Sequence, residues 1–208
     1  MSAHRMLKTA VLVLVITLTA TLSYAQDEKT NDIKILMLMG EWFGDTYFPM
    51  KERLDGLHIQ FVRIGVDEKY RGCYNKARDV ELTSEILIPD FSEFSEYDCL
   101  MIPSGPQFRK FNENRIVLDF VKRAYDSGLI IASLCTGNLV VKAAGVVDLV
   151  NPLDMEPGTV KEVKERVLMG SRGGGPPPGN GYEGAPVNEL IDAVIARASG
   201  LKTKKIIQ

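Results

Sequence analysis

Histidine, cysteine and tryptophan are scarce in this chain: its 208 residues include two histidines, three cysteines and one tryptophan. No Cys-x-x-Cys spacing occurs, and with so few thiols and imidazoles no zinc site or other metal is expected. Cysteine acyl transfer usually needs a histidine within hydrogen-bond reach of the sulfur. His4 lies at the extreme amino terminus, which leaves His58 as the one histidine available for such a role. No run of Lys and Arg is present and the net charge is −2, so the electrostatic footprint of a nucleic-acid partner is missing. Repeats and low-complexity tracts are also absent, apart from one Gly/Pro-rich stretch. A single domain over residues 26–208 is the expectation.

Long apolar runs are equally few. The longest, residues 10–22, is shorter than the roughly 20 residues that a bilayer-spanning helix needs. It follows His4, Arg5 and Lys8 and precedes Ser23-Tyr24-Ala25, the order of a secretory signal peptide. Cleavage is expected after Ala25, giving an exported protein, periplasmic or secreted, with no stable membrane insertion after processing and a net charge of −4. Three cysteines, Cys73, Cys99 and Cys135, remain. An odd count leaves at least one thiol free or paired between chains, and a disulfide from Cys73 to one of the others is open.

What is present is an alternation of strand-like and helix-like stretches. Residues 33–39 form a nearly continuous apolar run suited to a strand buried on both faces. Residues 40–45 make a turn, and 47–57 a helix with Pro49 in its first turn, where a missing N–H is tolerated. Residues 58–64 alternate as a strand. Residues 65–84 are too polar and irregular to assign beyond a solvated excursion holding one short hairpin. Short strands are expected at 85–88 and 97–102. A helix over 112–126 follows, with apolar residues at 116, 117, 120, 121 and 124 on one face. Gly128 stops it, 129–134 is a strand and 137–144 a helix. A further strand covers 163–169, the Gly/Pro-rich stretch 171–181 must be a loop, and a last helix from about Pro186 carries Val187, Leu190, Ile191, Val194 and Ile195 on one stripe. This order predicts a mostly parallel sheet with helices on both faces. Ligand sites in such sheets gather at the carboxyl ends of the strands.

Cys135 stands at that edge, where an apolar strand turns directly into a helix whose first turn favours negative charge beside it. It is the candidate nucleophile or redox sulfur, although a free cysteine is also a common buried filler. Asp45, after the first strand, is positioned to meet it across the edge and move a proton, and also suits a helix N-cap. Glu41 is a second carboxylate on the same turn. The amides of Gly105 and Thr136 are candidates for holding a developing oxyanion. Ser104, Asn138 and Arg172 are candidate ligand contacts, Arg172 through its carboxylate-matching fork. Gly173, Gly174 and Gly175 lack the Lys-Ser/Thr ending of a phosphate loop, and no cofactor is expected. His58 opens a strand and belongs at the opposite end of the sheet from Cys135.

These residues resemble the ThiJ/PfpI family of the class I glutamine amidotransferase-like superfamily over nearly the whole of residues 33–195. Its anchors here are Tyr97-Asp98, then Leu-Met-Ile-Pro-Ser-Gly ending at Gly105, the helix, Gly-Leu-Ile-Ile-Ala-Ser-Leu-Cys-Thr-Gly ending at Gly137, and the later Ala-Ala-Gly. The resemblance implies a flavodoxin-like three-layer sandwich, a nucleophile elbow at Cys135, Asp45 where the family usually has glutamate, and oxyanion amides at Gly105 and Thr136. Ser104 stands where the family has glycine, Thr136 where many members have histidine and Asn138 where many have proline; no histidine follows Cys135. Proteolytic, deglycating and glyoxalase-type activities of relatives therefore find little support in these residues. The expected function is a cysteine-dependent hydrolase, lyase or small-carbonyl processing enzyme acting on a small molecule. The alternatives are an oxidative-stress sensor or ligand-binding module with an oxidisable Cys135, or a structural protein. The resemblance leaves a homodimer open, since relatives often dimerise.

Overall fold

The apolar run that opens the core divides by parity. In β1 (Lys34–Leu38), Ile35 and Met37 enter one core cluster with Ile33 and Met39, while Leu36 and Leu38 enter another. Successive side chains of a strand leave opposite faces of the sheet, so this run demands a covering layer on each side. The computed structural model describes residues 32–149, 151, 153–173 and 184–206. The expected signal peptide, and residues 174–181 of the Gly/Pro-rich loop, lie outside the described residues.

After β1 come α1 (Tyr47–Gly56), with Pro49 in its first turn, and β2 (Gln60–Gly65). The excursion that resisted assignment holds β3 (Lys69–Arg71) and β4 (Glu81–Thr83), an antiparallel pair with Tyr70 opposite Leu82. Next are β5 (Ile86–Leu87), β6 (Cys99–Ile102), α2 (Phe108–Glu113), α3 (Arg115–Asp126), β7 (Ile130–Leu134) and α4 (Gly137–Ala143). The chain then forms β8 (Val160–Lys164), β9 (Val167–Gly170) and α5 (Val187–Ile206).

Among the described residues the main sheet has seven strands in the order β5-β2-β1-β6-β7-β9-β8, and β8 alone runs antiparallel to its neighbour. Side chains of α1 and α5 complete one core cluster, and side chains of α2, α3 and α4 complete the other. The result is the mostly parallel sheet with helices on both faces expected from the alternation, in the flavodoxin-like three-layer form that the resemblance implies.

Two expectations need correction. The single helix over 112–126 is two helices, because the Asn114 side chain accepts from the amides of Ile116 and Val117 and so starts a new helix there. This N-cap also turns Ile116 outward, where it is 54% exposed, and the buried stripe is Val117, Phe120, Val121 and Ala124. The single strand over 163–169 is the hairpin β8–β9, turned at Glu165-Arg166 with Arg166 at φ 63°. The question left open at Cys73 is answered by three free thiols, Cys73, Cys99 and Cys135.

Candidate active site

β7 delivers the chain to Cys135 and the backbone turns there at once. Cys135 has φ 49°, the left-handed region that costs a side-chain-bearing residue about 1–2 kcal/mol. Its N–H donates to the Gly170 carbonyl on β9 (2.9 Å), and its carbonyl accepts from the Asn138 amide (3.0 Å). The first residue of α4 presses on β6: a Cβ on Gly137 would lie 2.5 Å from the Ile102 carbonyl oxygen. This tight elbow leaves Cys135 half-buried on the wall of a cavity of about 390 Å³, together with Asn138, Leu153, Asp154, Met155, Pro157, Ser171 and Arg172.

A line of hydroxyls ties the turns after β1, β6 and β7 together. Thr46 Oγ1 donates to the Ser104 carbonyl (3.1 Å), and Ser104 Oγ lies 3.0 Å from Thr136 Oγ1. Thr136 Oγ1 donates to the Gly105 carbonyl (3.1 Å) and accepts from the Gly105 amide (3.0 Å). A hydroxyl has one proton and two lone pairs. With Ser104 Oγ as the donor between the two side chains, the Thr136 hydroxyl is saturated. The Gly105 amide, expected to face the sulfur, is thus held by Thr136 instead. Gly105 has no room for a side chain, since its Cβ would stand 2.4 Å from the Gly44 nitrogen.

Asp45 is 6% exposed, and its Oδ1 accepts from the Ala77 amide (2.9 Å). Thr46 occupies the N-cap position of α1, so the N-cap role considered for Asp45 is not the one it fills; its carboxylate braces the 72–80 excursion against the turn. Among the described residues its other oxygen takes no hydrogen bond, and Asp45 lines a neighbouring cavity of about 420 Å³ with Phe48, Pro49, Glu52 and Lys76. No hydrogen bond joins it to Cys135 among the described residues. Glu41 is committed in the same way: its Oε2 accepts from the Arg71 amide (2.8 Å). The Trp42 amide donates to the Arg71 carbonyl (2.7 Å) and the Cys73 amide to the Phe43 carbonyl (3.1 Å). The unassigned excursion therefore clamps the β1 turn. His58 is exposed ahead of β2, at the amino edge of a sheet whose carboxyl edge carries Cys135.

Asn138 is fully buried. Its Oδ1 accepts from Ser133 Oγ (2.7 Å), and its Nδ2 donates to the Gly170 carbonyl (3.1 Å). It is a buried brace between β7, β9 and α4 that also lines the cavity of Cys135. Ser171 is buried and exchanges hydrogen bonds with Thr159. Arg172 is exposed and lines the same cavity as Cys135. Leu153, Asp154, Met155 and Pro157 were not singled out from the sequence. They come from a segment without regular structure that tertiary folding alone brings to the sulfur.

The sequence profile of the DJ-1/PfpI family matches residues 33–150. A deglycase of Thermococcus kodakarensis is 26% identical over 118 residues, covering 55% of this chain and 67% of that one. Among solved structures, a ThiJ/PfpI domain protein of Brachyspira murdochii superposes with a TM-score of 0.62 at 14% identity, over 81% of this chain and 97% of that one. A two-domain protein of Anabaena variabilis, with DJ-1/ThiJ/PfpI-like and ferritin-like domains, gives 0.61 at 19% identity over 79% of this chain. The chain spans about half, 48%, of that larger protein.

Proposed function

This chain belongs to the DJ-1/PfpI family, and from that premise we propose that it performs cysteine-dependent chemistry on small carbonyl compounds, with Cys135 as the nucleophile. The observation that carries this reading is the left-handed backbone of Cys135 at the carboxyl edge of β7, with its side chain on a cavity wall. Strain held at one residue of a ligand cavity is a feature of functional sites. The Thermococcus relative is named a deglycase, which supports a carbonyl substrate.

In the proposed step the sulfur bonds to the carbonyl carbon and the π pair of C=O moves to oxygen. The proton released by the thiol ends on that oxygen, giving a hemithioacetal without any change of oxidation state. Asp45 is the group proposed to carry that proton across the sheet edge. The amides of Thr136 and Gly105 hold the oxygen while it is negative, the latter once the Thr136 hydroxyl turns away. Turnover assays on a panel of small aldehydes, amides and esters, with Cys135→Ala as control, test the reading. Aldehyde turnover that vanishes in the variant supports it, and turnover that persists removes it.

One observation favours a second reading. The Gly105 amide already has a partner in Thr136 Oγ1, and none of the three thiols is paired. A half-buried sulfur on a cavity wall, with one of its two candidate oxyanion amides already held and no disulfide partner, suits stepwise oxidation to a sulfinic acid, so a redox sensor is the alternative. Mass spectrometry after graded peroxide separates them: stable addition of two oxygens at Cys135, with no turnover of any panel compound, favours the sensor.

Export after cleavage at Ala25 is proposed from the amino-terminal pattern. The intact mass of protein recovered from the periplasm or medium is expected to begin at Gln26, and a full-length mass there overturns it. A homodimer is proposed as well, to be read by light scattering.

A further inference from the structure

We infer that the compound accepted at Cys135 carries a carboxylate, and that Arg172 receives it. This rests on the proposed carbonyl chemistry and adds to it the class of substrate. Most arginines among the described residues are engaged: Arg53 with Asp192, Arg63 with Glu85, Arg197 with Glu162. The Arg172 guanidinium has no ion pair or hydrogen bond among the described residues, although it lines the cavity that holds the sulfur.

A carboxylate is close at hand, since Asp154 lines the same cavity, yet its Oδ1 accepts from Asn151 Nδ2 (2.7 Å) and does not claim the arginine. The base of Arg172 is anchored, because its carbonyl accepts from the Gly158 amide (3.0 Å) and from Ser171 Oγ (3.1 Å). An anchored arginine with an unclaimed planar fork matches a carboxylate bidentately. Asp154 adds one negative charge to the cavity, which disfavours a dianionic phosphate more than a monoanion. Leu153, Met155 and Pro157 supply apolar wall for a short carbon chain, and the volume of about 390 Å³ suits a small molecule. The substrate class is therefore a short oxo acid, with its carbonyl at Cys135 and its carboxylate at Arg172.

Steady-state kinetics with glyoxylate and succinate semialdehyde, against glycolaldehyde and butanal as neutral partners of matched length, provide the test. The wild-type protein is expected to favour the acids in kcat/KM. Arg172→Met is expected to lower that preference at least tenfold through KM, Arg172→Lys to restore part of it, and Asp154→Asn to lower KM for the acids. Equal effects of Arg172→Met on acids and neutral aldehydes, or a wild-type preference for the neutral compounds, overturn the inference. So does tighter handling of glycolaldehyde phosphate than of glyoxylate. Calorimetric titration of Cys135→Ser with glyoxylate separates the two layers of the argument. Binding that disappears on adding Arg172→Met supports the carboxylate site even if Cys135→Ala retains turnover, a result that removes the nucleophile reading alone. Binding that survives in the double variant overturns the site.

Discussion

Cys99 and Cys135 sit at neighbouring strands of one sheet and touch the same core cluster. Cys99 is enclosed in it, while Cys135 packs against its edge and also lines a cavity. Cys99 opens β6 inside the regular ladder, opposite Ile35 on one side and Ile130 on the other, and is fully buried. Burial, with the nearby Asp98 charge adding to it, pushes its thiol well above the usual range. Cys135 follows the last residue of β7, departs from strand geometry at φ 49° and reaches a cavity. The two differ by their place along the sheet rather than by residue type. A thiol within the ladder is core filler, and a thiol one step beyond the carboxyl end of a strand is available to a ligand.

The sharpest way to break this comparison is to delete each sulfur. Cys135→Ala is expected to remove aldehyde turnover by about a thousandfold or more, the scale of losing a covalent nucleophile. Cys99→Ala is expected to leave turnover intact and to cost about 1 kcal/mol in urea denaturation, as a small cavity in the core does. A large kinetic loss in Cys99→Ala reverses the assignment. Asp45→Asn comes next. Its amide oxygen still accepts from the Ala77 N–H, so stability holds, while loss of a proton carrier is expected to lower kcat by about a hundredfold. Unchanged kcat removes Asp45 from the reaction and leaves it the brace described above.

Smaller effects probe the scaffolding on either side. Gly137→Ala places a Cβ against the Ile102 carbonyl, and overpacking of this kind costs about 2 kcal/mol. Its denaturation midpoint should fall and Cys135 should label abnormally, because the elbow has moved. The smallest effect is expected far from the sulfur. Hydrogen bonds from Arg71 and Lys69 hold the exposed Glu81 carboxyl on β4 below its ordinary 4.5. A lowered folded-state value gives a stabilisation that is present above the unfolded value and lost as pH falls through the folded one. Glu81→Gln should therefore flatten the acid dependence of exchange protection in β3 and β4 while leaving the labelling of Cys135 as it was.

Much of this architecture was legible in the sequence, because parity and spacing report burial directly. The alternation of strands and helices, the elbow at Cys135 and the stripe on α5 follow from apolar periodicity. Asn114 was missed because a cap inside an otherwise helical pattern leaves the periodicity almost undisturbed. The β8–β9 hairpin was missed because Arg166 takes a left-handed φ where glycine or asparagine is the usual signal. Cys135 and Arg172, both singled out from the sequence, line one cavity. The clamp that the 65–84 excursion places on Glu41 and Asp45 was hidden, since it runs mainly through backbone amides whose partners no side-chain pattern announces. Leu153, Met155 and Pro157 were invisible for a related reason: residues of an irregular segment acquire a role only from what the fold sets beside them.

Labelling of the native protein with iodoacetamide, followed by peptide mass spectrometry over time, tests the central claim most directly. Cys135 is expected to be alkylated well ahead of Cys99, with Cys99 reacting only after denaturation. Equal rates at the two sulfurs, or a Cys135 that stays unmodified until the protein unfolds, would contradict the account.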